Sequence, residues 1–222
     1  SDGSRIDQFR RGSYLNNEQV IATYSIGSEK VIDMLQNLKK DIPDSKFTTV
    51  FLIDDFTASG MTYCRPDGGG KLGRIFDSIF IEGQTYFPAV DHESLEIHIL
   101  FYIATSEALV NIREGIEVWK ELKNYNFNCT VDCLLEIDNS SKEIITSDQE
   151  LMSFMEKYFD NSIVDEHYKK GKHDFPYLGF NECCLPIVLN HNTPNNSLPI
   201  LWFPEGAKLV GLFPRVTRHK DE

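Results

Sequence analysis

The residues best suited to chemistry lie together in Asp54-Asp55-Phe56-Thr57-Ala58-Ser59-Gly60-Met61-Thr62. Two adjacent carboxylates give way at once to small and hydroxyl-bearing residues around a glycine. Carboxylates at the end of a buried run are costly unless they are solvated, bridged by a metal or set against ligand hydroxyls. Small residues and a glycine between Ala58 and Met61 let backbone N–H groups approach a phosphate, and Ser59 and Thr62 add hydroxyl donors. Carboxylates for a diol and amides for a phosphate suit a ribose 5-phosphate. The plain alternative is a hydrated Asp-Asp turn followed by ordinary turn formers. The order of hydrophobic run, acid pair and loop favours the ligand reading.

The elements that must position these residues follow from hydrophobic patterning. Thr49 to Ile53 is near-continuously apolar and β-branched, which predicts a strand buried on both faces of a parallel sheet. Open α/β sheets bind ligands beyond the carboxyl ends of such strands. Leu95 to Ala104 predicts a second strand. A hydroxyl residue within Thr105-Ser106 then caps a helix over Glu107 to Leu122, with Ala108, Ile112, Ile116 and Trp119 facing inward. Cys129 to Ile137 predicts a third strand. This rhythm predicts an α/β fold, with a Rossmann-like parallel sheet, right-handed crossovers and helices on both faces. Further helical patterns run from Asn17 to Lys40 and from Ser147 to Phe159, the latter opening on a capping-box pattern. His98, inside a strand, reads as a structural histidine.

Beyond Asp160 the chain becomes charged, then rich in proline, asparagine and aromatics. Two domains are expected: a core over 1–160 and an irregular extension over 161–222 packing on it. The arms Ile187 to Leu189 and Leu198 to Phe203 flank a polar hinge, which predicts a loop between two short extended segments. The hinge concentrates His191, Asn192, Asn195 and Asn196. Such side chains suit a nucleobase edge or a proton transfer, and equally suit backbone groups of a buried loop.

At 222 residues, 41% hydrophobic and 12% aromatic, the chain can build a substantial α/β core. Its formal charge of −12 argues against nonspecific nucleic-acid binding, which needs clustered Lys and Arg. Five cysteines form neither a CxxC pair nor a zinc spacing, so reduced thiols in a cytoplasmic setting are expected. Neither a signal peptide nor an apolar run of the roughly 18 residues a membrane span requires is evident.

The run Ile53-Asp54-Asp55-Phe56-Thr57-Ala58-Ser59-Gly60-Met61-Thr62 resembles the motif by which type I phosphoribosyltransferases bind phosphoribosyl pyrophosphate (PRPP). The resemblance implies that Asp54 and Asp55 hold the ribose hydroxyls and, through the substrate, a Mg²⁺ ion. It implies that Thr57, Ala58, Ser59, Gly60, Met61 and Thr62 hold the 5-phosphate. In the family this motif continues smoothly into a helix. Here Pro66 and the run Gly68-Gly69-Gly70 interrupt it, predicting either a tolerated surface loop or a mobile flap that brings Lys71 or Arg74 to the pyrophosphate. A helix should resume near Leu72 and run through Phe80. The basic start Ser1 to Arg11 reads either as a solvated helix start or, through Arg5, as part of a pyrophosphate site. Family strands normally precede the motif, and only 48 residues do so here, so an omitted N-terminal segment is expected.

A narrower resemblance rests on the same motif together with the Gly-Lys-Leu-Gly-Arg-containing insert, Ile97 to Thr105, the start SDGSRIDQFRR and the tail HNTPNNSLPILW. Together these resemble the PRTase-CE group of prokaryotic conflict and antiphage systems, some encoded beside retrons. The resemblance implies a phosphoribosyltransferase, a pentosyl-transferring enzyme using PRPP and Mg²⁺ in antiphage defence, with other defence-system proteins as partners. In that reading Asp54, Asp55 and His191 are catalytic, and Asn192, Asn195 and Asn196 orient the acceptor. The alternative is a catalytically inactive module that senses PRPP or a nucleotide and signals to a partner.

Overall fold

The computed structural model describes residues 6–16, 19–21, 28–65, 67–80, 89–190 and 192–215. The chain divides into two compact units, Ser1–Ile137 and Asp138–Glu222.

The first unit orders its elements as α1 (Ile6–Gly12), α2 (Ser28–Asp41), β1 (Thr49–Thr57), α3 (Lys71–Ile79), β2 (Glu96–Thr105), α4 (Ser106–Lys123) and β3 (Asn128–Ile137). Among the described residues, the strands form a parallel three-stranded sheet in the order β1-β2-β3. Register sets Thr49 beside Glu96 and Thr57 beside Ala104, so β1 and β2 end together at their carboxyl ends. Strands joined in parallel require long crossovers, which α3 and α4 supply. This is the α/β architecture that the alternation of strand and helix patterns predicts.

The core forms where α3 and α4 present their apolar stripes to β2. Leu72, Phe76 and Ile79 from α3 meet Ile112, Ile116 and Trp119 from α4 over Ile97, Ile99 and Phe101. Phe76 is completely buried, its ring 5.1 Å from that of Trp119 and 5.3 Å from that of Phe127. Burial along β1 deepens toward the acids. Phe51 remains 63% exposed and stacks on His98, whereas Asp54 and Thr57 are buried. The early half of β1 is therefore more open than its continuous apolar run predicts. His98 is structural, with its Nδ1 2.9 Å from Thr130 Oγ1 across the neighbouring strand.

Among the described residues, the second unit contains α5 (Ser140–Ser147), α6 (Gln149–Tyr158), four short 3-10 turns and α7 (Pro199–Trp202). The helix predicted over Ser147 to Phe159 is α6, and α5 precedes it. Asp148 rather than Ser147 caps α6, its carboxylate accepting from Leu151 N at 3.0 Å. The arm predicted as extended from Leu198 is a helical turn instead, because Pro199 at its first position pre-sets the helical φ. One cluster in this unit packs Met155, Leu178, Cys184 and Leu198; another packs Tyr168, Phe180 and Trp202. Among the described residues, no helix is long and apolar enough to cross a membrane.

Candidate functional site

Successive side chains leave opposite faces of a strand, so the two acids at the end of β1 serve different surroundings. Asp54 is 7% exposed. Its Oδ1 accepts from the Asp55 N–H at 3.0 Å. Its Oδ2 accepts from the Tyr63 hydroxyl at 2.5 Å and lies 3.4 Å from Lys71 Nζ. The Lys71 ammonium also sits 4.7 Å above the centre of the Tyr63 ring. Asp55 is half-buried, and its Oδ1 accepts from the Phe56 N–H at 2.9 Å. A buried carboxylate held by two N–H/O–H donors and a cation avoids the penalty that an isolated one would incur.

The loop that follows is pressed against the start of α4. Thr57, Ala58 and Ser59 are buried, while Thr62 is exposed. Thr105 Oγ1 donates to Ala58 O and accepts from Ala108 N, so one hydroxyl both pins the loop and caps α4. Asn111 Nδ2 donates to Ser59 O at 3.0 Å. Gly60 adopts φ +74°, and a Cβ there would meet Ala108 O at 3.0 Å and Ile112 Cγ1 at 3.2 Å. Only glycine combines that left-handed backbone with so close an approach to a helix. Among the described residues, none accepts from the N–H groups of Ser59, Gly60 and Thr62. Donors of this kind beside the positive end of an 18-residue helix favour an anion.

Replacing Thr105 by Val leaves Ala58 O without its donor and removes the α4 cap. The expected cost is about 1–3 kcal/mol. Urea denaturation measures it, and an unchanged midpoint would show that the hydroxyl does not hold the loop.

The glycine-rich insert is a compact clip. Arg65 N donates to Gly69 O at 2.8 Å, and Gly68 N returns to Arg65 O at 2.9 Å. Lys71 N donates to Thr62 O at 3.0 Å and Leu72 N to Tyr63 O at 2.9 Å, tying the start of α3 directly to the loop. Gly68 packs against Trp119, and Gly115 of α4 leaves room for the Cys64 side chain, since a Cβ on it would meet Cys64 Sγ at 2.6 Å. The Gly69 N–H, and then Arg65, hold the Asp67 carboxyl below its ordinary value. α3 starts at Lys71, one residue before the predicted position, and Arg74 is exposed on it.

Asp54, Asp55, Thr57 to Thr62 and Lys71 are therefore gathered at one end of the sheet. Asn192, Asn195 and Asn196 belong to the second unit. There, Asn196 Nδ2 donates to Phe180 O at 3.2 Å and to Cys183 Sγ at 3.3 Å, while Asn195 O accepts from Phe180 N at 2.7 Å. Asn192 is exposed and bridges Leu189 through its backbone. Arg5 and His191 lie outside the described residues. Sequence patterning assigned no site role to Tyr63, Thr105 or Asn111. The hydroxyl at the α4 cap was visible, but its reach to Ala58 depends on strand register.

Among the described residues, no group of three or more His, Cys, Asp or Glu forms a metal cluster. Two carboxylates suit Mg²⁺ only where ligand oxygens complete the coordination, which is its common mode with phosphate substrates. The cysteines are free. Burial pushes the thiols of Cys64, Cys129 and Cys184 each up to about 11, leaving them protonated at neutral pH. A family model described as PRTase-CE matches residues 9–215. No curated protein and no solved structure matches the chain.

Proposed function

The chain belongs to the PRTase-CE family and is phosphoribosyltransferase-like, and we propose that it binds PRPP together with Mg²⁺ and transfers the phosphoribosyl group to an acceptor nucleophile. The observation that carries this reading is the acid pair leading directly into a buried glycine loop, pinned at the start of α4, whose Ser59, Gly60 and Thr62 N–H groups have no acceptor among the described residues.

In this reading the N–H groups of Ser59, Gly60 and Thr62 take the 5-phosphate, and the Asp54–Asp55 end takes the ribose diol. Asp54 and Asp55 would hold Mg²⁺ through the substrate oxygens, where it would neutralise pyrophosphate charge. As the C1–O bond breaks, its electron pair leaves with pyrophosphate and positive charge develops on the ribose ring. The fixed carboxylate field at the end of β1 stabilises that charge. The acceptor then bonds to C1 and releases its proton. His191, Asn192, Asn195 and Asn196 are the proposed acceptor and proton-handling groups, and Arg5 and Arg74 the proposed pyrophosphate-side cations, whereas Lys71 pairs with Asp54. The resemblance to proteins of prokaryotic conflict systems supports a cytoplasmic role in antiphage defence, with other defence-system proteins as partners.

Calorimetric titration with PRPP and Mg²⁺ tests the ligand. Saturable heat is expected from the unaltered protein and none from the Asp54→Ala/Asp55→Ala variant. Absence of heat from the unaltered protein, or equal heat from both, would remove the reading.

A further inference from the structure

We infer that Lys71 and Tyr63 are positioning residues that set how strongly ligand binding depends on a divalent cation. Lys71 acts as the built-in counter-ion of Asp54, and Tyr63 holds that carboxylate in a fixed orientation. This inference rests on the ribose-phosphate reading above.

Two features of the placement of Lys71 disfavour a cation. It is the first residue of α3, whose cap Gly70 offers no side chain, and the positive end of a helix dipole opposes a cation there. Its side chain is only 20% exposed. What offsets both effects is Asp54 Oδ2 at 3.4 Å and the Tyr63 ring face at 4.7 Å. The backbone of Lys71 is meanwhile fixed on Thr62 O, at the outer end of the loop. One residue thus meets the buried acid through its ammonium and the segment proposed to hold a phosphate through its backbone N–H.

Tyr63 is tethered more firmly. Its N–H donates to Gly60 O at 2.9 Å, and its carbonyl accepts from Leu72 N at 2.9 Å. Its ring packs edge-on to Phe101 at 4.7 Å, and its hydroxyl reaches Asp54 Oδ2. Phe101 is the register partner of Asp54 on β2. A tyrosine held at these points cannot follow a moving ligand. It suits a fixed strut that keeps Asp54 aligned with or without Lys71.

The two side chains leave different signatures. PRPP is a polyanion, so Asp54 repels it more strongly without the Lys71 ammonium beside it. Removing the Lys71 charge exposes that repulsion, and a divalent cation in the same place restores the balance. A neutral hydroxyl has no such dependence.

The test is PRPP binding by calorimetry at limiting and at saturating Mg²⁺, for the unaltered protein, Lys71→Met, Lys71→Arg and Tyr63→Phe. Lys71→Met is expected to weaken binding about tenfold at limiting Mg²⁺ and under about threefold at saturation. Lys71→Arg should match the unaltered protein in both. Tyr63→Phe keeps the ring packing and should lose about tenfold at both Mg²⁺ levels, as expected for a hydrogen bond to a charged group. Equal loss by Lys71→Met at the two Mg²⁺ levels, no loss, or failure of Lys71→Arg to restore binding would overturn the inference alone. No PRPP binding by the unaltered protein would overturn the ligand reading and the inference with it.

Discussion

An Asp55→Asn protein should keep its parental stability and lose about a hundredfold to a thousandfold in PRPP-dependent pyrophosphate release. The substitution is close to isosteric, and the amide oxygen can still accept from the Phe56 N–H, as Asp55 Oδ1 does. Asp55 is half-buried at the strand end, so the change removes a charge without opening a cavity. What it withdraws is negative potential where positive charge develops on the ribose. Asp54 is a poorer test of the same idea. It is buried, and its Oδ2 is shared by Tyr63 and Lys71. Removing one partner of a buried ion pair typically costs about 3–5 kcal/mol of stability. An Asp54 variant therefore mixes lost chemistry with lost folding. Pyrophosphate release measured beside urea denaturation separates the two for Asp55. A full-rate Asp55→Asn protein would sink the proposed electrostatic role.

What could be read from the sequence was local and periodic. The acid pair, the loop and their strand are contiguous, and the strand and helix patterns placed β2 and β3 to within one residue at each end, whereas β1 runs four residues past Ile53, to Thr57, and takes in both acids. Contacts between distant segments were hidden. The hydroxyl of Thr105 reaches Ala58 only because Thr57 and Ala104 are register partners. Asp54 meets Tyr63 and Lys71 only because the loop after β1 turns back and the clip ties the start of α3 to it. The tail shows a different limit. An amide that suits a base edge equally suits a carbonyl, and Asn196 donates to Phe180 O. Composition cannot distinguish those uses. α5 went unpredicted because its eight residues carry one adjacent apolar pair, Ile144-Ile145, and its cap Asn139 makes no side-chain hydrogen bond.

The Gly68-Gly69-Gly70 run predicts slack when read as composition and a clip when read in three dimensions, and two alanine variants separate those descriptions. Gly70 has φ 120° and ψ −164°, a region that is essentially glycine's alone. A Cβ there would lie 2.4 Å from Tyr63 O and 2.8 Å from Tyr63 C, both backbone atoms that cannot swing aside. Backbone strain and overpacking together predict a loss of about 2–5 kcal/mol for Gly70→Ala. At Gly69 the nearest atom to a Cβ would be Arg65 Nη2 at 2.3 Å, the far end of an exposed and flexible side chain. Gly69→Ala should therefore cost less than about 1 kcal/mol. The consequence reaches the site, because the clip carries Lys71 N to Thr62 O and Leu72 N to Tyr63 O. Forcing Tyr63 and Gly70 apart displaces the strut and the counter-ion of Asp54 together. PRPP affinity in Gly70→Ala should then fall below that of either Lys71→Met or Tyr63→Phe at equal Mg²⁺, while Gly69→Ala binds normally. Paired denaturation curves and titrations decide the matter. If the two alanine variants unfold at the same urea concentration, the glycines are spacers and the clip does not hold the acid pair.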